Sequence, residues 1–359
     1  MRVLLIADDL TGALDSAVTL AGAGLRAAVA RRPADVAAAL GLGPDVLAVS
    51  TASREGSAEA AQAATAAALD AVAAAGADLP AIVMKKVDSR LKGHVAAETQ
   101  VLAARAGRTR ALVAPAIPAQ GRRVADGHLT GAGVAAPIDV AAALAASGLA
   151  VTVPDTAADG DFDGPLAAAL VGEPALLVGA AGLAAAVARR LAPEAPAATR
   201  PALAGPLLLA VGSRDPITLT QVARLDASGR AAMATAPGGA CEALPAADAV
   251  LVRLTAAEGR AFDAQAAGAR FADEIARAVR ARGVGTLLGC GGETADAILG
   301  ALGVGVLEVE GEILPGVPVS RMVLDGRTVR LVTKSGGFGG ADALVAVVAA
   351  ADGHGKGER

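Results

Sequence analysis

Two adjacent carboxylates follow the first apolar run of the chain. In the stretch LLIADDLTGALDSA, an apolar strand is expected to end just before Asp8 and Asp9, and a helix is expected to begin just after them. Ligands of open α/β sheets bind outside the carboxyl ends of the strands. Carboxylates placed there could orient a hydroxyl group, accept its proton or hold Mg²⁺ through water. A helix cap is the structural alternative, but one cap accounts for only one of the two carboxylates.

A second stretch with chemical potential is AIVMKKVDSRLKGHVAAE, in which a predicted strand runs into a cluster of cations. The chain has 32 basic residues, only five of them lysines, and three of those five lysines lie within eight positions here. Compact ammonium charges suit a carboxylate substrate or a phosphoryl group in transfer, whereas a solvated turn is the structural alternative. Because side chains alternate along a strand, only one of Lys85 and Lys86 is expected to face a site. The polar residues of the stretch are Lys85, Lys86, Asp88, Ser89, Arg90, Lys92 and His94.

Two glycine loops lie in the C-terminal half. LLGCGGETADAIL and VRLVTKSGGFGGADALVAVV each read as an apolar strand, a glycine loop and a helix. Glycines let phosphates approach the backbone, and a helix N-terminus offers free N–H groups. One such loop could be a tight turn, but two in one half favour the two sides of a nucleotide cleft. Neither matches the Walker A pattern, and the chain has no Rossmann fingerprint.

These stretches must be positioned by alternating strands and helices, which predict an α/β fold: two α/β domains with largely parallel sheets. The predicted strands are 3–7, 46–50, 81–86, 111–114, 176–179, 207–211, 249–253, 286–290 and 329–333. The predicted helices are 12–23, 57–75, 162–171, 180–191, 216–227, 268–282, 294–302 and 341–351. The segment PEAPAATRPALAGP has four prolines and reads as a linker over 193–206, between domains at 1–192 and 207–359.

Composition excludes several classes of protein. The net charge is −4, Trp and Tyr are absent and only four Phe are present, which argues against a nucleic-acid partner. The longest uncharged stretches, such as 174–188, span 15 residues, too few for a membrane helix. Two cysteines without CxxC spacing and three histidines give no support to a zinc site. Only five apolar residues separate Arg2 from Asp8, too few for the apolar core of a signal peptide, so the chain is expected to be cytoplasmic. Its Ala-rich apolar surface would suit a homodimer.

The motifs, taken in order, resemble those of the four-carbon acid sugar kinase family. The N-terminal matches are IADDLTGALDSA, the Ser53–Arg54 element in TASRE, KKVDSRLKGH and PAIPAQGR. The C-terminal matches are VGSRDPITLTQ, GGETADAILGALGV, LPGVPVSRM and KSGGFG. The resemblance spans most of both predicted domains.

This resemblance implies an ATP-dependent kinase that phosphorylates a hydroxyl of a small sugar acid, such as erythronate, threonate or a 3-oxo-tetronate, with Mg²⁺ as cofactor. It implies that the N-terminal domain binds the acid and the C-terminal domain binds ATP across an interdomain active-site cleft. The catalytic residues implied are Asp8 or Asp88, orienting the attacking hydroxyl, and Lys86 or Lys92, neutralising charge. The implied substrate contacts are Asp9, Ser53, Arg54, Ser89, Arg90 and Lys92. The implied nucleotide contacts are Ser213, Gly291, Gly292, Glu293, Thr294, Lys334, Gly336 and Gly337, and the metal ligands are left open.

The chain departs from the family pattern in its second block. Arg90, Lys92 and His94 stand where the family usually has Thr, Arg and Asn. Lysine lacks the bidentate fork of arginine, so recognition of a carboxylate or phosphate differs, and a different small sugar acid is an alternative substrate. The His-Pro stretch expected after His128 is absent. A non-catalytic nucleotide-binding regulator is a further alternative; a phosphatase or dehydrogenase is disfavoured by the missing Asp-x-Asp and dinucleotide motifs.

Overall fold

The computed structural model describes residues 1–195, 200–259 and 262–352. The chain divides into two compact units, Met1–Ala198 and Thr199–Arg359. The division falls inside the predicted linker, of which residues 196–199 lie outside the described part. Among the described residues, no helix has both the length and the apolar character needed to cross a bilayer.

Within its described residues, the first unit contains ten strands and seven α-helices. The strands are β1 (Val3–Ala7), β2 (Ala27–Ala30), β3 (Val46–Ser50), β4 (Ile82–Lys86), β5 (Arg110–Ala114), β6 (Arg122–Ala125), β7 (His128–Gly131), β8 (Ile138–Asp139), β9 (Ala150–Thr152) and β10 (Leu176–Gly179). The helices are α1 (Leu10–Gly22), α2 (Val36–Gly41), α3 (Ala58–Ala74), α4 (Val95–Ala106), α5 (Val140–Leu144), α6 (Asp163–Ala169) and α7 (Ala181–Leu191).

Seven of these strands form a parallel sheet in the order β2-β3-β1-β4-β10-β5-β9. β1, β3 and β4 are buried along their whole length, as expected for a parallel sheet covered on both faces. In β1, Ala7 is in register with Ser50 of β3 and Lys86 of β4. The three strands therefore end at the same edge, and the loops that follow them start side by side.

Helix α1 begins directly at this edge. The Asp9 carboxylate caps it by accepting a hydrogen bond of 2.8 Å from the backbone N–H of Gly12. The helix buries Leu10, Leu14 and Val18 along one stripe, which fixes its position over the sheet. Strands β6, β7 and β8 form a separate small antiparallel sheet.

In the part of the second unit that the structure describes, there are seven strands and four α-helices. The strands are β11 (Leu207–Val211), β12 (Ala232–Pro237), β13 (Ala249–Thr255), β14 (Thr286–Cys290), β15 (Val306–Leu314), β16 (Val317–Leu324) and β17 (Arg327–Lys334). The helices are α8 (Pro216–Ser228), α9 (Ala264–Ala281), α10 (Gly292–Leu302) and α11 (Ala343–Asp352).

The strand order within this unit is β12-β13-β11-β14-β17-β16-β15. Only β16 runs antiparallel to its two neighbours. Val211 of β11 is in register with Cys290 of β14, which is in register with Lys334 of β17. Three adjacent strands therefore end at one level, and both glycine loops begin beside the loop that follows β11.

The predicted α/β fold with two domains is confirmed. Each of the nine predicted strands and eight predicted helices corresponds to an observed one. Strands β15 and β16 were not predicted. β15 alternates buried residues with partly exposed ones such as Glu308 and Glu310, a pattern typical of a half-buried strand, whereas the strand predictions were based on continuous apolar runs. The small antiparallel sheet was missed for a different reason: its strands have only four residues or fewer.

Candidate active site

The Arg54 guanidinium joins both carboxylates at the end of β1. Its Nε and Nη2 donate to the two oxygens of Asp8 at 2.8 Å each, and its Nη1 and Nη2 donate to Asp9 at 2.7 and 2.9 Å. Burial raises the pKa of Asp8, but the charges of Lys85 and Arg54 outweigh this effect and leave the pKa below its ordinary value. Burial also lowers the pKa of Arg54, but its bonds to Asp8 and Asp9 raise it overall. These three residues form a fixed ionic cluster.

Lys85 and Lys86 lie on opposite sides of the sheet, as strand alternation predicts. Lys85 is fully buried, and its Nζ lies 3.1 Å from Oε2 of Glu98, which is also buried. Ser53, predicted to contact the substrate, is buried and donates to Glu98 Oε1 at 2.5 Å. Thr51 completes this layer, with its hydroxyl 2.7 Å from that of Ser53. This buried layer thus lies beneath the cluster and does not face solvent. It consists of Lys85, Glu98, Ser53 and Thr51.

Lys86 lies against the start of α1. Its Nζ donates to the Val87 carbonyl at 3.0 Å and lies 3.9 Å from Oδ2 of Asp15. A Cβ atom at Gly12 would lie 3.2 Å from this Nζ and 2.5 Å from Oδ1 of Asp9. Glycine at position 12 therefore lets the lysine and the capping carboxylate come close to each other.

The loop after β4 carries the remaining predicted substrate residues. Oδ1 of Asp88 accepts a hydrogen bond of 2.8 Å from the backbone N–H of Arg90, and it lies 3.9 Å from Arg90 Nε. Ser89 is buried and accepts a 2.9 Å bond from Nη1 of Arg122. Gly133 lies beside the guanidinium groups of both Arg90 and Arg122. Burial, followed by the charge of Arg90, lowers the pKa of Arg122. Two neighbouring guanidinium groups thus flank Asp88 and Ser89.

Arg122 is a residue that the sequence analysis did not include among the site residues. It begins β6, in the small antiparallel sheet. The available signal was its position as the last residue of the PAIPAQGR motif. By contrast, the predicted contact residue Lys92 is exposed, and its ammonium has no recorded contact with the cluster among the described residues. Its neighbour Gly93 does approach the cluster, since a Cβ there would lie 2.9 Å from Oδ2 of Asp8.

The loops after β11, β14 and β17 meet around Ser213. Its hydroxyl accepts a 3.2 Å bond from the backbone N–H of Asp215. Gly336 packs so closely on Ser213 that a Cβ atom at Gly336 would overlap the hydroxyl. Thr218, on α8, donates to the Gly336 carbonyl at 2.6 Å. Gly337 lies beside the Asp215 carboxylate. The loop after β11 and the glycine loop after β17 therefore form one packed surface.

The N-terminus of α10 faces the same region. Gly291 caps it with a φ of +104°, a value that favours glycine, and its N–H donates to the Lys334 carbonyl at 2.8 Å. The helix then begins at Gly292 and continues through Glu293, which is exposed, and Thr294. N–H groups in the first turn of a helix have no intrahelical acceptor, so these can bind an anion such as a phosphate.

Lys334 lies beneath the last glycine loop. It is 1% exposed, and its Nζ donates to the Ser335 and Gly336 carbonyls at 2.9 and 3.3 Å. Burial lowers the pKa of Lys334 and raises that of the Cys290 thiol, which lies 3.8 Å from Nζ. The ammonium group therefore holds the loop in shape, and its contact with the nucleotide stays a prediction.

Comparisons with known proteins identify the family to which this chain belongs. Residues 3–138 match the family model for a sugar-binding N-terminal domain, and residues 208–344 match the model for a nucleotide-binding C-terminal domain. The chain belongs to the four-carbon acid sugar kinase family. The Asp8–Arg54 cluster lies within the first match, and the loops around Ser213 lie within the second. The family resemblance seen in the sequence motifs is confirmed.

Characterised members of the four-carbon acid sugar kinase family align along nearly the whole chain. The chain is 32% identical to the D-threonate kinase of Bordetella bronchiseptica, covering 95% of both chains, and 34% identical to that of Cupriavidus necator, covering 96% of both. It is 29% identical to a 3-oxo-tetronate kinase of Cupriavidus necator, covering 94% of both. A solved structure from Salmonella typhimurium shares the fold, with a TM-score of 0.77 and 19% identity over 96% of this chain and 98% of that one.

Proposed function

We propose that this protein is an ATP-dependent kinase that transfers the γ-phosphoryl group of ATP to a hydroxyl of a four-carbon sugar acid, such as threonate, erythronate or a 3-oxo-tetronate. The observation that carries the proposal is the ionic cluster of Asp8, Asp9 and Arg54, which lies within the residues that match the sugar-binding domain. The charges of Lys86 and Asp88 act on this cluster, and Arg90 and Arg122 flank Asp88. A site for a sugar acid requires carboxylates that bind the hydroxyls of the acid and cations that bind its carboxylate. The relatives named D-threonate and 3-oxo-tetronate kinases support the same class.

In this proposal, Arg90 and Arg122 bind the carboxylate of the acid. Guanidinium groups bind carboxylates through two parallel hydrogen bonds, and these two lie together beside Gly133. Asp9 and Asp88 then accept hydrogen bonds from the hydroxyls of the acid. Lys86 stabilises negative charge that develops on the reacting oxygen and the arriving phosphoryl group.

The nucleotide-binding unit supplies backbone amides. The N–H groups of Gly292, Glu293 and Thr294 bind the phosphates of ATP, together with the backbone of the loop at Gly336 and Gly337. Lys334 acts indirectly by holding that loop.

Magnesium fits the same loops. Within the described residues, no group of three or more acidic, His or Cys side chains could hold a metal ion. Mg²⁺ in kinases is held by one or two carboxylates together with the phosphates, and Asp215, beside Gly337, is placed to be such a carboxylate. When bound, the ion supplies neutralisation of phosphate charge. The cytoplasmic location and the homodimer remain predictions.

The test is release of ADP by the full chain with Mg-ATP across a panel of four-carbon sugar acids, their 3-oxo forms and several five-carbon acids. We expect ADP release that depends on one acid of the panel and is absent without it. ADP released at the same rate with no acid present would indicate an ATPase and contradict the proposal. If the protein binds ATP but releases no ADP with any acid of the panel, the alternative of a non-catalytic nucleotide-binding protein is favoured.

A further inference from the structure

Phosphorylation of a hydroxyl requires a group that takes up its proton, and the two carboxylates at the end of β1 are poorly placed for this. Both oxygens of Asp8 accept hydrogen bonds from Arg54, and the side chain is only 2% exposed. Both oxygens of Asp9 also accept bonds from Arg54, and one accepts a further bond from the Gly12 N–H. Carboxylates held by a guanidinium are weak proton acceptors.

Asp15 is differently placed. It lies on α1 three residues after Gly12, on the same helix face, so it looks toward Lys86. Its carboxylate lies 3.9 Å from Lys86 Nζ, and its side chain is 19% exposed. Within the described residues, Asp15 has no recorded hydrogen bond to its carboxylate, and its recorded ion pair is with Lys86. Its oxygens are therefore available to a ligand.

We propose that Asp15 is the general base of the reaction, accepting the proton of the attacking sugar-acid hydroxyl while Lys86 holds it in position. This inference rests on the kinase activity proposed above. The O–H bond of the acceptor breaks, its proton passes to an oxygen of Asp15, and the freed electron pair forms the new O–P bond. The bond from the γ-phosphorus to the β–γ bridging oxygen breaks, and ADP leaves with that electron pair.

The electrostatic surroundings of Asp15 agree with this role. The charged groups facing it are Lys86 from β4, Asp9 at the cap of α1 and Arg122 from β6. Burial raises the pKa of Asp15 and Asp9 raises it further, whereas Lys86 and Arg122 lower it; the net pKa lies above the ordinary aspartate value. A base with a raised pKa binds a proton more strongly than Asp8, whose pKa is lowered.

Asp88 is the competing carboxylate. One of its oxygens already accepts the Arg90 N–H at 2.8 Å, and the Arg90 guanidinium lies 3.9 Å away. These contacts place Asp88 beside the proposed binding site for the substrate carboxylate. We therefore expect Asp88 to affect mainly the KM of the acid, and Asp15 to affect mainly kcat.

The test compares the wild-type chain with Asp15→Ala and Asp88→Ala, using the acid that the panel identifies. We expect Asp15→Ala to lower kcat by about 10²–10⁴-fold and to leave the KM of ATP nearly unchanged. We expect wild-type kcat to fall as the pH drops through the pKa of Asp15, because the protonated carboxyl cannot accept a proton. Asp15→Ala should lose this acidic limb. Added formate, a small carboxylate that fits the vacated space, should raise the kcat of Asp15→Ala and leave that of Asp88→Ala unchanged.

Each other outcome overturns the inference. A kcat of Asp15→Ala within about threefold of wild type would exclude the base role, since base catalysis contributes far more than that. A lowered kcat with the acidic limb intact and no response to formate would reduce Asp15 to a structural residue. If far-UV circular dichroism shows that Asp15→Ala does not fold, the isosteric variant Asp15→Asn takes its place. Its kcat should likewise lose the acidic limb of the pH profile, and an intact acidic limb would overturn the inference. A wild-type chain that phosphorylates no acid overturns the proposed function itself, and this is seen before any variant is made.

Discussion

The buried ion pair between Lys85 and Glu98 gives the sharpest prediction about stability. Both side chains are at most 1% exposed, and Nζ and Oε2 are 3.1 Å apart. Lys85→Met keeps the apolar length of the side chain but leaves the Glu98 carboxylate without its counter-charge. Removing one partner of a buried pair costs about 3–5 kcal/mol. At ~2–4 °C per kcal/mol for a domain of this size, the melting temperature should fall by roughly 6–20 °C.

The measurement is urea unfolding followed by far-UV circular dichroism, because the chain has no Trp or Tyr to report by fluorescence. Lys92→Met is the matched control: Lys92 is exposed, so its loss should change the free energy of unfolding by no more than about 0.5 kcal/mol. In the double variant Lys85→Met/Glu98→Gln the buried charge is gone, and the amide can still accept from Ser53. It should be more stable than Lys85→Met alone. If Lys85→Met lowers the free energy of unfolding no more than Lys92→Met does, the buried ion pair does not have the predicted effect on stability. A double variant less stable than Lys85→Met would also contradict the prediction.

Three further predictions concern the two sites. The new methyl group of Gly336→Ala would overlap the Ser213 hydroxyl, and the resulting overpacking of ~1–3 kcal/mol should raise the KM of ATP about tenfold. Gly340→Ala, where the added methyl group meets open space, should leave the KM of ATP unchanged. Equal KM values for the two variants would contradict this prediction. Arg122→Ala removes a charged contact of ~1.5–3 kcal/mol and should raise the KM of the acid at least about tenfold, with the KM of ATP and exposed Arg123→Ala as controls. Asp8→Asn should destabilise the chain at neutral pH. Because the pKa of Asp8 is lowered in the folded state, the Asp8 carboxylate stabilises the fold at pH values above its unfolded-state pKa of 3.8, and this stabilisation is lost as the pH falls through the folded-state pKa. Urea unfolding at several pH values should therefore show that wild type and Asp8→Asn differ less in free energy of unfolding at acidic pH.

Much of the fold could be predicted because its central strands are continuous apolar runs. Val3–Ala7 and Val46–Ser50 were predicted to the residue, since strands buried on both faces leave a clear signal. The order of strands could not be read, because it depends on which crossovers pack best. That order, which puts β3 and β4 on either side of β1, is what brings Arg54 and Lys86 to Asp8.

The candidate site was predictable where motifs follow such strands, and less so elsewhere. Asp8 and Asp9 follow a strand directly, and strand alternation separated Lys86 from the buried Lys85. Arg122 comes from a short antiparallel strand with no apolar signal, so only the structure joins it to Ser89. Asp15 lies inside a recognised motif, but its approach to Lys86 depends on how α1 packs against β4.

The central claim is that phosphate moves from ATP to a sugar acid, and the product of the reaction tests this most directly. The full chain would be incubated with Mg-ATP and the acid that gives the fastest ADP release, and the mixture followed by ³¹P NMR. We expect a new phosphate monoester signal, split by the protons of a sugar-acid carbon where these are present, that grows in equal amount with ADP. ADP accompanied only by inorganic phosphate would contradict it.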